Sequence, residues 1–211
     1  VVTSNEVIDG NSYSQLIQQG FRRSGQFIYR PHCDQCQACT SVRVPVFDFK
    51  PDRSQKRAWS QHAKLIPTIV APHFSNEHYA LYTRYQKAKH VGGGMDQDDI
   101  AQYNEFLVET NVSTFMVEFR QHPTNQTVGD LKMVSIVDRL NDGLSAVYTF
   151  YAPEPGMSYG TFNVLWLIQQ TRALGLKHLY LGYWIEACRK MTYKTRFKPC
   201  ELFLSSEWMA P

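Results

Sequence analysis

Leu144-Ser145-Ala146-Val147-Tyr148-Thr149-Phe150-Tyr151 is followed by Pro153, Pro155 and Gly156, then by Gly160-Thr161-Phe162 and an apolar run to Leu174-Gly175. The first eight residues carry the β-branched and aromatic side chains of a strand. The prolines break it. The run from Gly160 has the length and composition of a buried helix, and Gly175 stops it. Lys177–Tyr183 then reads as a buried strand. Strand, helix, strand over forty residues is the unit on which the rest of the chain is built.

Working outward, Asn141-Asp142-Gly143 signals a hairpin turn into the first of those strands. Ahead of it lie two more predicted strands, Ser113–Arg120 and Val128–Asp138. Asn76–Val91 reads as a helix, with Tyr79, Tyr82 and Tyr85 at three-residue spacing expected to pack. Gly92-Gly93-Gly94 ends it, after His90, and Asp96 can cap a next helix running to about Glu109. Further upstream, Ser12 to Gln19 is a short helix, and Gln26–Arg30 and Val42–Phe47 are short strands. Pro51 opens a helix bearing Gln55, Lys56, Arg57 and Trp59. A terminal strand is expected near Leu202–Leu204. The change of texture divides the chain into a base-rich, cysteine-bearing unit, residues 1–70, and an α/β domain, residues 71–211.

With 211 residues, 43% hydrophobic and 19% charged, the composition is that of an ordinary globular protein. No apolar run approaches the roughly 18 residues of a membrane span, and no leader pattern is visible. Five cysteines, three of them in a tight cluster, do not suit a disulfide framework, so a reducing, cytoplasmic setting is expected. The net charge is only +3 but is unevenly placed. Residues 43–64 hold six bases and two acids, and residues 189–198 hold Arg189, Lys190, Lys194, Arg196 and Lys198 with no acid. Two basic clusters on a nearly neutral chain point to a phosphate-rich partner. Two solvated faces are the plain alternative.

Cys33-x2-Cys36-x2-Cys39 follows Tyr29-Arg30-Pro31-His32. Thiolates so spaced can share zinc or an iron–sulfur cluster, although a closed tetrahedral site needs a fourth ligand. Cys188 and Cys200 lie far downstream, and Cys188 reads as a buried thiol.

The order of elements resembles the GNAT superfamily of N-acetyltransferases: an α/β core with a mostly antiparallel central sheet. In that fold the donor binds where two central strands splay, against the N-terminus of the next helix, here Gly160 and Thr161, whose free N–H groups suit a phosphate. The acetyltransferases usually carry Gln/Arg-x-x-Gly-x-Gly/Ala at this point. This chain has Pro155-Gly156-Met157-Ser158-Tyr159-Gly160, which argues against a coenzyme A thioester.

Five segments taken in order resemble something more specific. They are the Tyr29–Cys39 stretch; Arg53-Ser54-Gln55-Lys56-Arg57; His90-Val91-Gly92-Gly93-Gly94-Met95-Asp96; Leu144–Tyr151; and Tyr180-Leu181-Gly182-Tyr183-Trp184-Ile185 running on through Cys188-Arg189-Lys190-Met191, Tyr193-Lys194, Arg196-Phe197 and Pro199. They are similar to the bacterial aspartate/glutamate leucyltransferases, within the arginyl-tRNA–protein transferase family. The resemblance implies transfer of leucine from leucyl-tRNA to proteins or peptides with N-terminal Asp or Glu, marking them for degradation in the N-degron pathway. It also implies that further cysteine can lie ahead of the triplet, whereas none precedes Cys33 here; His32 is a geometrically awkward substitute.

Each demand of such a reaction can be matched to residues. Stacking of the tRNA 3′ end suits Tyr148, Tyr151, Tyr183 and Trp184, although strand alternation lets at most half of them face a cleft. Reading an acceptor carboxylate or a tRNA phosphate suits Arg53, Gln55, Arg57, Lys190, Lys194 and Arg196; Arg53/Arg57 and Lys190/Lys194 are i, i+4 pairs that share a face if helical. The proton of the attacking amine calls for Tyr193, Lys194 or Asp138, with Glu118 also conceivable. An α-amine with a pKa near 8 is already partly neutral at about pH 7, so a strong base and a cofactor are both dispensable. Three alternatives stay open: arginine as the transferred residue, an acyl-CoA-dependent N-acyltransferase, and a non-catalytic metal-ribbon RNA-binding module.

Overall fold

The computed structural model describes residues 8–89, 99–123 and 128–211. His90, the triple glycine and Asp96 lie outside these residues. Helix α1, Gly10–Gln18, is capped by Asp9, whose carboxylate accepts from the N–H groups of Asn11 and Ser12. Ser12 therefore sits inside the helix it was expected to cap. Strands β1, Arg22–Ser24, and β2, Phe27–Tyr29, form a hairpin apart from the main sheet. Strand β3 spans Thr40–Pro45, helix α2 Arg53–His62, β4 Ile66–Val70 and α3 Asn76–Lys89. Helix α4, Ile100–Tyr103, is capped by Asp99 and runs on into a π-helical turn, Asn104–Val108. Then come β5, Thr114–Arg120; β6, Leu131–Arg139; β7, Gly143–Tyr151; α5, Tyr159–Ala173; β8, His178–Trp184; β9, Glu201–Leu204; and β10, Glu207–Met209. Strands β1, β4 and β10 were not read from the sequence: each is short, at an edge, or carries a proline (Pro67).

Among the described residues, eight strands form one sheet in the order β10-β9-β3-β8-β7-β6-β5-β4. Every pairing is antiparallel except β7 with β8. Strands β5, β6 and β7 form a meander, and α5 is the crossover that makes β8 parallel to β7. This is the GNAT-like fold. Residues before 71 supply β3, near the middle of this sheet, and β4, at its edge. The textural boundary at residue 70 is thus not a break in the sheet.

Strand alternation places the helices. Phe150 packs against Tyr82 of α3, with ring centroids 5.6 Å apart, while its neighbour Thr149 accepts a bond from Asn163 of α5. Adjacent strand residues face opposite sides, so α3 and α5 cover opposite faces of the sheet. Helix α5 is apolar nearly all round because one side meets the sheet through Phe162, Trp166 and Phe119 and another meets α2 through Trp59 and His62.

One buried ion pair ties the amino-terminal hairpin to the sheet. Arg23 grips Asp138 of β6 through two bonds of 2.8 Å, and Tyr13 and Thr114 donate to the same carboxylate. The side chains are 1% and 0% exposed. Asp138, read from the sequence as a catalytic acid–base candidate, has both oxygens engaged and no path to solvent. It is a structural anchor.

Candidate active site at the splay of two parallel strands

The parallel pairing of β7 and β8 lasts only three residues, Gly143–Ser145 against His178–Tyr180. Both strands then carry an irregularity. On β7 the register against β6 jumps between Tyr148 and Ala146, leaving Val147 as an extra residue. On β8 the register against β3 jumps between Gly182 and Tyr180, leaving out Leu181. Bulges bend strands and add twist. Two of them side by side open the sheet, and the carbonyls of Ala146 and Val147 lose their partner strand.

Arg22 fills the opening. Its Nη2 donates to Ala146 O at 3.1 Å and Val147 O at 3.2 Å. Neighbouring residues on β1 point to opposite sides, so Arg22 reaches the splay while Arg23 holds Asp138. The approach requires Gly182, whose φ is +76°. A Cβ there would lie 2.4 Å from Arg22 Cζ. Gly182→Ala is therefore expected to unseat Arg22 and to lower stability by about 1–3 kcal/mol, the usual cost of a strained backbone position. Urea denaturation checks this, and an unchanged midpoint would show that the splay has room to spare.

Lys194 enters from the other side on a 3₁₀ turn, Lys194–Arg196, and its Nζ donates to Tyr183 O at 2.5 Å. Burial first, and then the charge of Arg22, pull its pKa down to about 7; Cys188 acts in the opposite direction. Neither Arg22 nor Lys194 makes an ion pair among the described residues. Arg22 Nη1 is enclosed and lacks a hydrogen-bond partner among the described residues. Two uncompensated cations at one enclosed point form a site for an anion. Tyr193 stands at the mouth, 41% exposed, with its phenol within electrostatic reach of Arg22 and Tyr151.

An aromatic wall continues from the splay. Tyr151 meets Tyr85 at 4.8 Å and Tyr159 at 5.7 Å, and Tyr159 stacks on His62 at 4.2 Å. The first turn of α5, with Gly160 and Thr161, begins beside this wall, and Ser158 makes no side-chain cap bond there. Tyr148 lies one layer deeper, packed on Phe106 and bonded to Gln86.

The fold thus brings Tyr151, Gly160, Thr161, Tyr193 and Lys194 to one end of the sheet, and adds Arg22, which sequence reading did not single out, and Tyr85, which it expected only to pack. The one available signal for Arg22 was Gly182 inside a buried strand, which marks close approach of another group. Other expectations are corrected. Tyr183 donates its hydroxyl to Gly20 O and Tyr29 O and packs on Tyr29, so it anchors the hairpin instead of stacking a base. Gln55 is buried in a capping box with Asp52 and donates to Arg196 O, so it positions the 194–198 segment. Glu118 is tied to His78 and Arg120 on β5, far along the sheet from β8. Lys190 and Lys194 do not share a helix: residues 185–193 are turns. Trp184 packs on the main core, half-buried. Arg53 and Arg57 are exposed on α2, and Lys190 and Arg196 are exposed near the mouth; Lys190 Nζ donates to Lys89 O at 3.1 Å.

The cysteine triplet is at this same end of the sheet, because Thr40 pairs with Trp184. Cys33 and Cys36 are exposed free thiols whose backbones pair in one isolated antiparallel β-bridge, and Cys39 is half-buried. Burial raises the Cys39 thiol pKa, and Cys36 and Cys33 raise it further. Thiols are soft donors, chemically suited to a soft cation such as zinc.

Two family models match the chain: "Arginine-tRNA-protein transferase, N terminus" over residues 1–57 and "Arginine-tRNA-protein transferase, C terminus" over residues 77–204. A protein of Methylobacillus flagellatus named aspartate/glutamate leucyltransferase is 51% identical over 99% of this chain and 82% of its own length. One of the same name from Chromobacterium violaceum is 51% identical over 96% of this chain and 82% of its own. Among solved structures, L-PGS from Bacillus licheniformis superposes with a TM-score of 0.55 at 11% identity, covering 78% of this chain and 57% of that one. FemX superposes with a TM-score of 0.52 at 10% identity, covering 87% and 63%. These two show the fold alone.

Proposed function

Because the chain belongs to the arginine-tRNA–protein transferase family, we propose that it transfers leucine from leucyl-tRNA to the N-terminal Asp or Glu of acceptor proteins. The observation that carries the reading is the pair of uncompensated cations, Arg22 and Lys194, in the β7/β8 splay. An acceptor with an acidic first side chain supplies the missing anion. Arg22 offers its unpartnered Nη1 and Lys194 its amine. A neutral side chain of the same shape would leave the Arg22 guanidinium desolvated and unpaired, whereas Lys194, with a pKa pulled down to about 7, can shed its proton, so the discrimination rests chiefly on Arg22.

With its carboxylate so held, the acceptor presents its α-amine to the leucyl ester. The amine nitrogen attacks the ester carbonyl, the new amide C–N bond forms, the C–O bond to the tRNA breaks, and the 3′ oxygen leaves with a proton. Tyr193, at the mouth, is placed to relay that proton, and Asp138 is not. The tRNA 3′ end lies along Tyr85, Tyr151 and Tyr159, with a phosphate at the uncapped start of α5. Arg53, Arg57, Lys190 and Arg196 face solvent around it and suit acceptor-stem phosphates. Arg22 also occupies the gap between the strands, which, with the missing pyrophosphate loop, disfavours an acyl-CoA donor. The cysteine triplet, at the rim, does not bring its sulfurs together in this structure; to hold zinc or an iron–sulfur cluster, as proposed, the segment would have to close around it, which would stiffen this edge with no part in the bond-making step.

The test is transfer of labelled leucine from leucyl-tRNA to peptides beginning with Asp, Asn, Glu and Ala. Arg22→Gln is expected to raise the KM for the Asp peptide by roughly 10- to 100-fold, as loss of a charged hydrogen bond of about 1.5–3 kcal/mol implies, and to erode the preference for Asp over Asn. Undiminished discrimination in this variant would remove Arg22 from the acceptor site.

A further inference from the structure

We propose that His73, His78 and Glu118 form a binding site for a divalent transition metal, zinc being the best fit, which clamps the start of α3 to β5. One nitrogen of each imidazole and one carboxylate oxygen lie within 4.8 Å of one another. Among the described residues, this group of histidine, cysteine and acidic side chains converges so, and the cysteine triplet does not. Two imidazoles and a carboxylate are donors of intermediate softness, suited to zinc, cobalt or nickel and unsuited to magnesium or calcium.

Two of the three donors, His73 and Glu118, are already held by a second partner, while His78 Nδ1 is enclosed with no hydrogen-bond partner among the described residues. His73 Nδ1 sits 2.9 Å from Ala71 O, and a carbonyl only accepts, so Nδ1 carries the proton and Nε2 keeps its lone pair. A ring nitrogen bonded to a backbone carbonyl is how metal-ligating histidines are commonly fixed. Glu118 is held through Oε2 by Arg120 Nε at 2.9 Å, which leaves Oε1 facing His78 Nε2 at 2.8 Å. The two imidazoles approach at 5.1 Å between centroids with planes 51° apart, which is not a parallel stack. His78 is fully buried, Glu118 half-buried and His73 exposed, so the open fourth position faces water on the His73 side.

Two donors about 2.0–2.1 Å from a tetrahedral ion stand roughly 3.3 Å apart. The 2.8 Å contact between His78 and Glu118 therefore opens by about half an ångström, with the His78 proton moving from Nε2 to Nδ1. A donor pair at the 4.8 Å limit closes by about 1.5 Å, a movement open to the exposed His73 side chain. The local charge favours a cation. Glu77 and Glu118 both pair with Arg120, leaving one net negative charge beside two imidazoles. The ion would join the segment before α3 to β5. Two turns further along α3, Tyr85 and Gln86 line the site through Tyr151 and Tyr148.

Equilibrium dialysis of the full chain carrying Cys33→Ser, Cys36→Ser and Cys39→Ser, with Zn²⁺ and with Co²⁺ as a spectroscopic probe, tests this. We expect one bound equivalent, a Co²⁺ spectrum without thiolate charge-transfer absorption, and a Zn²⁺-dependent rise in Tm. His73→Ala, at an exposed position that leaves the fold intact, and Glu118→Gln should each weaken binding at least about tenfold and abolish the rise in Tm. Absence of binding, or equal binding in His73→Ala, overturns the proposal. Should the serine variant not fold, the wild-type chain is titrated with Co²⁺ against His73→Ala; the equivalent lost must be one without thiolate absorption, and no such loss overturns the proposal equally.

Discussion

Replacing Lys194 by methionine is expected to do two opposite things: cut leucine transfer by about 100-fold or more, and make the protein more stable near neutral pH. The first follows from removing one of two cations that meet the acceptor carboxylate, a loss of roughly 2–5 kcal/mol when the partner charge stays buried. The second follows from the same burial. The folded pKa of Lys194 is pulled to about 7 from its ordinary 10.5. Between those values the unfolded chain binds a proton that the folded chain does not, so stability rises with pH across that window. The stabilisation is complete above pH 10.5 and is lost as pH falls through 7. Near and below neutrality the wild type therefore carries the cost of an enclosed, unpaired ammonium. A methionine of similar shape removes that cost and leaves Tyr183 O without its donor, for a net gain of about 1–2 kcal/mol at pH 7. Thermal denaturation from pH 6 to 10 should show a slope in the wild type that is absent in Lys194→Met. A variant that is both inactive and less stable at pH 7 would show that Lys194 is structural.

Asp138→Asn should have the largest effect on stability of any single substitution considered. Arg23 would keep its charge in a place 1% exposed while losing the carboxylate that balances it, and Tyr13 and Thr114 would lose a shared acceptor. Breaking a buried pair from one side typically costs about 3–5 kcal/mol. The expected result is a much lower urea midpoint, with the fraction that remains folded keeping the wild-type KM for an Asp peptide. A stable Asp138→Asn protein with kcat reduced by orders of magnitude would restore this residue to the chemistry.

The contrast between these residues shows what could be read along the chain. The Leu144–Tyr183 unit was legible because its signals are local: a β-rich run, a proline break, an apolar helix and a glycine stop. Lys194 was legible as a base in a cluster without acids. Asp138 was misread because a carboxylate at the end of a strand looks the same whether it faces a cleft or a buried arginine 115 residues away. Tyr183 and Gln55 were misread for the same reason, since their partners are backbone carbonyls of distant segments. Arg22 was missed because nothing local separates it from Arg23; on a strand the two must point to opposite sides, and only the hairpin's seat on the sheet decides which meets Asp138 and which meets the splay.

The sequence by itself determined the fold class, the family and the basic character of the carboxyl-terminal segment, because periodicity, turn chemistry and ordered motifs are properties of near neighbours. Only the tertiary structure decided where the chemistry sits. Two bulges on adjacent strands open the sheet, and the absence of a side chain at Gly182 admits Arg22. Lys194 is then desolvated against a charge of its own sign. The β7 bulge is set against the neighbouring β6, but the β8 bulge and the meeting of Arg22 with Gly182 and Lys194 join segments more than a hundred residues apart, and their register is settled by the packing of the whole core.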